Sequence, residues 1–240
     1  MTDMTDITDI TTKRKVAIFG DSILRGIVLD KDGRYILSKH FDWARIENKL
    51  NVILENRSRM GSNILGGIAR LKDFFTRAPD VKISSAVVEF GGNDCDYPWD
   101  KIAADPGLPH PANVEISDFK AQLTHMISLL RQRGVNVILM TLPPISSSRY
   151  FKWITRGGLS ASNILSFLGG DIEYISRHQE LYSHTLMSVA HEQNTQLVDV
   201  RKYFLETPRY PDLMCEDGIH PNADGEALIT QAFINHFAVC

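Results

Sequence analysis

The sequence predicts an α/β fold built on one parallel sheet with helices on both faces. Five short apolar runs bounded by turn residues have the length and composition of buried strands, and segments with helical spacing alternate with them. This alternation is typical of βαβ units, which produce a parallel sheet that is covered on both sides. The predicted strands are 16–19, 51–56, 85–90, 135–140 and 196–200.

The segments between the strands carry apolar residues at the helical period. Ser62 or Asn63 can cap one of these helices at its start, Asn222 can cap another, and Gly134 can end a third. The predicted helices are 22–28, 40–50, 63–76, 115–133, 177–193 and 222–237, with a turn at 30–33 and loops at 95–114 and 201–221.

The chain is predicted to form one domain with a short disordered tail. Residues 1–12 alternate Thr and Asp with few large apolar side chains, which favours disorder. No linker-like segment divides the remaining residues, 13–240. Residues 145–176 are longer than a plain crossover requires and are rich in aromatic residues. We interpret them as an insertion, which could form a helical cap, a dimer contact or an ordinary packed subdomain.

Composition and charge exclude several classes of protein. The net charge of −3 and the pI near 6.2 argue against nucleic acid or an anionic membrane surface as a partner. No apolar run approaches the length of about 18 residues that a membrane span needs, and no secretion signal is evident. An odd count of 3 cysteines argues against a disulfide framework and fits a reducing compartment, so we expect a cytoplasmic protein.

The strongest functional signal is the turn that follows the first predicted strand. There Gly20-Asp21-Ser22 places a serine at the carboxyl end of the strand, which is the edge of an open α/β sheet where ligands bind. Three further polar turns that contain glycine are expected at the same edge. They are Met60-Gly61-Ser62, Gly91-Gly92-Asn93-Asp94 and Asp217-Gly218-Ile219-His220.

Together these turns contain the groups that ester hydrolysis requires. Ser22 can act as the nucleophile, His220 as the base that takes its proton, and Asp217 as the carboxylate that orients the imidazole. The backbone N–H groups of Ser22 and Gly61 and the side-chain amide of Asn93 can stabilise the oxyanion. Taken singly, Ser22 is more often a helix cap and His220 a loop histidine. The prediction therefore depends on the convergence of all five residues.

The four turns resemble the sequence blocks of the SGNH hydrolase superfamily, also called GDSL esterases and lipases. Gly20-Asp21-Ser22-Ile23 resembles the first block, with Ile23 in place of the usual leucine. That exchange keeps volume and polarity. The glycine of the second block, the Gly-x-Asn-Asp of the third and the Asp-x-x-His of the fifth follow in family order at Gly61, 91–94 and 217–220.

The resemblance implies a three-layer α/β/α sandwich with a flavodoxin-like five-stranded parallel sheet. It implies hydrolysis of a small-molecule ester through an acyl-enzyme, without a metal or cofactor. The implied roles are nucleophile for Ser22, base for His220, acid for Asp217, and oxyanion donors for Ser22, Gly61 and Asn93. The acid next to the nucleophile, Asp21, is implied to be structural. Short acyl or acetyl esters, acetylated carbohydrates and lysophospholipids all stay open as substrates, and the absence of a long apolar stretch for lipid surfaces favours short acyl groups.

Several alternatives stay open from the sequence alone. An acyltransferase that uses the same triad and a non-catalytic ligand-binding module are the other functions considered, and the oligomeric state is open, with a homo-oligomer among the options. Tyr97 and Trp99 are candidates for the wall of a substrate pocket, although packing in a surface loop explains them equally well. Cys95 and Cys215 lie two residues from candidate site residues, either by chance or as a redox-sensitive rim.

Overall fold

The computed structural model describes residues 13–238, so the tail predicted at 1–12 and the last cysteine lie outside the described residues. The strands are β1 (Arg14–Phe19), β2 (Ile27–Leu29), β3 (Tyr35–Leu37), β4 (Val52–Asn56), β5 (Ser85–Val88), β6 (Asn136–Met140) and β7 (Gln196–Val198). The helices are α1 (Ser22–Arg25), α2 (Trp43–Leu50), α3 (Ile64–Arg77), α4 (Trp99–Ala104), α5 (Ile116–Arg131), α6 (Ser147–Thr155), α7 (Ala161–Phe167), α8 (Tyr174–Glu192), α9 (Val200–Leu205) and α10 (Ala223–Ala238), with a 3₁₀ helix at Tyr210–Leu213.

Five of the strands form a parallel sheet in the order β4-β1-β5-β6-β7. Counted along the chain without the β2–β3 hairpin, this order is 2-1-3-4-5, the doubly wound arrangement of flavodoxin-like folds. Ile18 at the centre of the sheet lies opposite Asn56 of β4 and Val87 of β5. The predicted α/β sandwich with a five-stranded parallel sheet is confirmed.

Both faces of the sheet are buried, because successive side chains of a strand point to opposite faces. In β1, Ala17 and Phe19 belong to the core that α3, α5 and α8 cover. Val16 and Ile18 belong to the core on the other face, which α2, α9 and α10 cover. Within the described residues, no helix combines the length and apolar character that crossing a membrane requires.

The predicted helix caps are present in the structure. Asn63 Oδ1 accepts a hydrogen bond of 3.0 Å from the Gly66 N–H at the start of α3. Asn222 Oδ1 accepts one of 3.1 Å from the Asp224 N–H at the start of α10. Gly134 follows α5 with φ 69°, the left-handed conformation that glycine adopts without strain.

Residues 145–176 form α6, α7 and the first turn of α8, and these helices pack against α4 in a third apolar cluster. The uninterrupted loop predicted at 95–114 is wrong, because α4 lies within it. Trp99, Ile102 and Ala103 fall on one face of this short helix and are buried in that cluster. The stabilising contacts of α4 therefore come from a segment far away in the sequence.

Two more sequence predictions are wrong in extent. The helix predicted at 22–28 ends at Arg25, because Gly26 turns left-handed with φ 73° and leads into the antiparallel β2–β3 hairpin. The loop predicted at 201–221 contains α9 and the 3₁₀ helix, and α9 also takes the last residue of the predicted fifth strand. All these elements are too short to show a clear period in the sequence.

Candidate active site

The site lies at the switch point of the sheet, between β1 and β5. The connections from these two strands lead to opposite sides of the sheet, which opens a crevice outside their carboxyl ends. Ser22 follows β1 and Asn93 follows β5. The topology therefore brings the first and third sequence blocks to the same crevice.

Ser22, His220 and Asp217 form one continuous chain of hydrogen bonds. Ser22 Oγ lies 2.8 Å from His220 Nε2, and His220 Nδ1 lies 2.6 Å from Asp217 Oδ2. An ionised carboxylate can only accept, so Nδ1 carries a proton and Nε2 accepts from the serine hydroxyl. The three residues are 7%, 4% and 0% exposed, respectively. This arrangement can move a proton from Ser22 to the imidazole.

The turn from Asp217 to His220 is closely packed. Asp217 Oδ1 accepts hydrogen bonds of 3.1 Å from the backbone N–H groups of both Ile219 and His220. Gly218 has φ 74°, and a Cβ at this position would lie 2.6 Å from Ser146 O, so a side chain does not fit. The Ser146 N–H donates to Gly218 O over 2.8 Å. The insertion is thus attached to the turn that carries the histidine.

Asp217 is held in its ionised form. Burial raises its pKa, but the hydrogen bond and charge of His220 outweigh burial, so the pKa is lower than the ordinary value. The Tyr35 ring centroid lies 5.1 Å from that of His220 and shields the pair from water. Burial, with the Asp217 charge, raises the pKa of Tyr35 to about 12, so its phenol stays neutral.

The candidate oxyanion donors line the same cavity, but they are not equally free. Within the described residues, the backbone N–H groups of Ser22 and Gly61 donate to no other group. Asn93 Nδ2 lies 3.0 Å from Asp21 Oδ2 and 3.2 Å from Ser62 O, so both of its amide hydrogens have protein partners. One of these bonds must break before the amide can donate to an oxyanion.

Buried carboxyl groups support these turns. Asp21 Oδ1 accepts a hydrogen bond of 2.8 Å from the Ile23 N–H and caps α1, while Oδ2 accepts from Asn93. Glu89 Oε2 lies 3.4 Å from the Asp21 N–H. Burial raises the pKa of Glu89 well above its usual range, and the Asp21 carboxyl raises it further, so Glu89 is the neutral member of the pair. Sequence analysis missed Glu89, although an acid within an apolar strand was a signal for it.

A cavity of about 360 Å³ opens beside the hydrogen-bonded chain. The sequence candidates Tyr97 and Trp99 both line it, and the Trp99 Nε1–H also donates to Asp96 Oδ1 over 2.7 Å. Other parts of the wall come from the hairpin, which no sequence motif indicated, and from the aromatic insertion, for which a cap was one of the expected roles. These residues include Tyr35, Tyr150, Trp153 and Ile154.

The two cysteines near the site occupy different places. Cys95 lines the cavity, whereas Cys215 lines a separate groove beside Arg149. Both are free and buried, and burial raises the pKa of each thiol. Because the thiolate is the reactive form, this environment favours inert buried thiols over a redox-sensitive rim.

We expect the Asp94→Asn variant to be more stable than the wild type above pH 7. Burial, together with the nearby Asp21 charge, raises the pKa of Asp94 from 3.8 to about 7. The folded state thus holds this proton where the unfolded chain has lost it, so wild-type stability falls as pH rises from about 4 to 7. Asparagine keeps the acceptor for the Ile64 N–H, a bond of 2.9 Å, and does not ionise.

Urea unfolding at pH 4 and pH 8 measures this effect. From pH 4 to pH 8, the free energy of unfolding of the variant should rise by roughly 1–4 kcal/mol relative to that of the wild type. The exposed Asp100→Asn exchange serves as the control and should show no such gain. A stability difference for Asp94→Asn that does not change with pH would contradict the account.

Comparisons with known proteins agree on one family. Residues 18–228 match the GDSL-like lipase/acylhydrolase family. An arylesterase from Vibrio mimicus is 25% identical over 224 residues, covering 90% of this chain and 84% of that protein. A solved lipase/acylhydrolase from Enterococcus faecalis aligns with a TM-score of 0.65 at 21% identity over 92% of this chain and 94% of that one. A solved acetylxylan esterase from Geobacillus stearothermophilus aligns with a TM-score of 0.63 at 19% identity over 93% and 94%.

The family match extends from within β1 into α10, so it spans the whole sheet. The two solved structures share the fold over nearly their full length. The chain therefore belongs to the GDSL-like lipase/acylhydrolase family and is an ester hydrolase of the GDSL type.

Proposed function

We propose that this enzyme is a serine esterase in which Ser22 is the nucleophile, His220 the general base and Asp217 the residue that orients the imidazole. The observation that carries the proposal is the hydrogen-bond chain from Ser22 Oγ through His220 to Asp217, with distances of 2.8 and 2.6 Å. A nucleophile bonded to a base that a third group orients is the arrangement that serine hydrolases share.

The reaction proceeds in two steps through an acyl-enzyme. His220 Nε2 takes the hydroxyl proton as Ser22 Oγ attacks the ester carbonyl carbon. The N–H groups of Ser22 and Gly61 stabilise the oxyanion, together with the Asn93 amide once it releases the Ser62 carbonyl, its neutral and longer bond. His220 then protonates the leaving alcohol. Water attacks the acyl group by the same route, which releases the carboxylic acid and restores the serine hydroxyl.

We infer that the substrates are small esters with short acyl groups, acetyl esters and acetylated carbohydrates among them. The cavity of about 360 Å³ is near the lower end of the roughly 300–1,000 Å³ that is usual for small-molecule pockets. Similar proteins include an arylesterase and an acetylxylan esterase, which is compatible with this class. The free thiols of Cys95 and Cys215 support a reducing, cytoplasmic setting.

Replacing the nucleophile should abolish turnover while the protein stays folded. We expect Ser22→Ala to lower kcat for p-nitrophenyl acetate by at least roughly a thousandfold, because the attacking oxygen is lost. A fluorophosphonate probe should label the wild type and the exposed control Ser162→Ala but not Ser22→Ala. Activity within a few-fold of the wild type in Ser22→Ala would refute the nucleophile, and a folded wild type that resists the probe would favour a binding module.

The acid of the triad should matter less than the base. Asp217→Asn keeps the imidazole but favours the wrong tautomer, whereas His220→Ala removes the proton acceptor. We expect His220→Ala to lose roughly tenfold more in kcat than Asp217→Asn, measured on p-nitrophenyl acetate with thermal unfolding as a check of folding. An equal or larger loss in Asp217→Asn would contradict a purely orienting role.

A panel of p-nitrophenyl esters from acetate to decanoate tests the proposed acyl size. We expect kcat/KM for the acetate to exceed that for the decanoate by roughly tenfold or more, because each methylene that a pocket cannot take up costs binding. Trp153→Ala removes part of the cavity wall and should reduce the difference in kcat/KM between the acetate and the decanoate. A preference of the wild type for long chains would refute the short-acyl inference.

A further inference from the structure

Asp96 is a half-buried carboxyl group that the proposed mechanism does not use. It lines the catalytic cavity. Its Oδ1 atom accepts hydrogen bonds from the Tyr150 hydroxyl over 2.8 Å and from Trp99 Nε1 over 2.7 Å. Its second oxygen, Oδ2, accepts from no other side chain within the described residues. Burial raises the pKa of Asp96, while the hydrogen bonds from Tyr150, Trp99 and the Tyr97 N–H favour its ionised form. Two side chains therefore hold this acid in place and leave one oxygen for another donor.

Two other polar side chains, Gln179 and His178, line that part of the cavity. Gln179 donates to Pro143 O over 2.9 Å and accepts from Arg201 over 2.9 Å, so both ends of its amide have partners. Within the described residues His178 Nε2 is buried without a hydrogen bond, and burial lowers the pKa of His178, which keeps the ring neutral. Asp96 is thus the carboxyl acceptor that an entering molecule meets there, beside the neutral His178 ring.

We propose that Asp96 is a specificity-determining residue that accepts a hydrogen bond from the substrate, so that the enzyme prefers esters bearing a hydroxyl or ammonium group over hydrocarbon esters of equal size. This inference rests on the proposed esterase function of the same cavity. A hydrocarbon group in contact with Oδ2 would leave a carboxylate oxygen without water and without a donor, which is costly. A hydroxyl or an ammonium group satisfies that oxygen, whereas a carboxylate or phosphate on the substrate would be repelled.

The aromatic rings around Asp96 fit the same class of substrate. Tyr97, Trp99 and Tyr150 line the cavity together with the acid. Such rings cover the apolar faces of a molecule, while one fixed polar group sets its orientation. Polyhydroxylated and amino-substituted groups have both an apolar face and a hydrogen-bond donor.

Isosteric esters test the proposal. We would compare kcat/KM for p-nitrophenyl β-hydroxybutyrate and p-nitrophenyl isovalerate, in which a hydroxyl replaces a methyl group, with p-nitrophenyl β-aminobutyrate as the ammonium arm. Tetramethylene glycol monoacetate and pentyl acetate form the matching pair with the hydroxyl on the alcohol side. In at least one pair kcat/KM should be higher for the donor-bearing ester. The pair that shows this identifies the group that donates to Asp96 and the side of the ester on which it lies.

The Asp96→Asn variant distinguishes a hydrogen bond to the substrate from structural support of Trp99 and Tyr150. Asparagine keeps an oxygen for Trp99 and Tyr150 but presents an N–H group in place of the free oxygen. The preference should fall by roughly tenfold or more, the usual effect of losing a hydrogen bond to a charged group. The exposed Asp100→Asn exchange is the matched control and should keep the wild-type preference. If Asp96→Asn lowered kcat/KM equally for both esters of every pair, Asp96 would only support its neighbours, and the proposal would be overturned.

Binding without turnover gives a second measurement that does not require the Asp96 variant to fold. The Ser22→Ala protein is titrated with tetramethylene glycol monoacetate and pentyl acetate, and with β-hydroxybutyrate and isovalerate methyl esters, by following tryptophan fluorescence. Tighter binding of a donor-bearing ester supports the proposal, and equal binding within both pairs overturns it. A wild type that hydrolyses no ester at all would refute the esterase function, whereas hydrolysis without any preference refutes only the role of Asp96.

Discussion

The buried carboxylate of Asp21 is the interaction on which the site depends. One oxygen caps α1, the short helix that starts at Ser22, and the other binds the amide of Asn93. Asp21 thereby joins the turns after two neighbouring strands and holds Ser22, the proposed nucleophile, near the amide of Asn93. Because it is almost fully buried, each of its hydrogen bonds replaces water that cannot reach it, and the loss of one partner would leave a charged oxygen unsatisfied.

Two buried acids near the site differ in charge state, Asp217 being ionised and Glu89 neutral, and their surroundings decide which. Asp217 faces the imidazole and two backbone N–H groups, so its pKa is lowered despite burial. Glu89 faces apolar surroundings and the Asp21 carboxyl, so its pKa is raised. In the proposed mechanism the first stabilises a developing imidazolium, whereas the second supports the turn that carries Ser22 without adding a negative charge there. The same side-chain chemistry thus takes two roles through environment alone.

The hairpin and the insertion close the site from two sides. Tyr35 of β3 contacts both the His220 ring and Trp153 of α6, with ring centroids 5.1 and 6.1 Å apart. The insertion also donates a hydrogen bond to Gly218 in the histidine turn. Water exclusion strengthens the electrostatic interactions of the proposed triad, and the same two elements line the cavity where we propose that the substrate binds. Changes in the insertion are therefore coupled to the geometry of the proton relay.

The sequence by itself determined the sheet, most of the helices that cover it, and the turns that carry Ser22, Asn93 and the Asp217–His220 pair. These are local properties, because hydrophobic periodicity, helix caps and motifs each depend on residues that lie close together in the sequence. The tertiary structure decided the rest: the hairpin, α4, the cavity walls, and the free oxygen of Asp96. The strands of the hairpin have three residues each and α4 has six, and their stability comes from contacts with distant segments, so no local pattern reveals them. The two hydrogen bonds that the Asn93 amide donates likewise form only because turns from separate parts of the chain lie side by side in the folded protein.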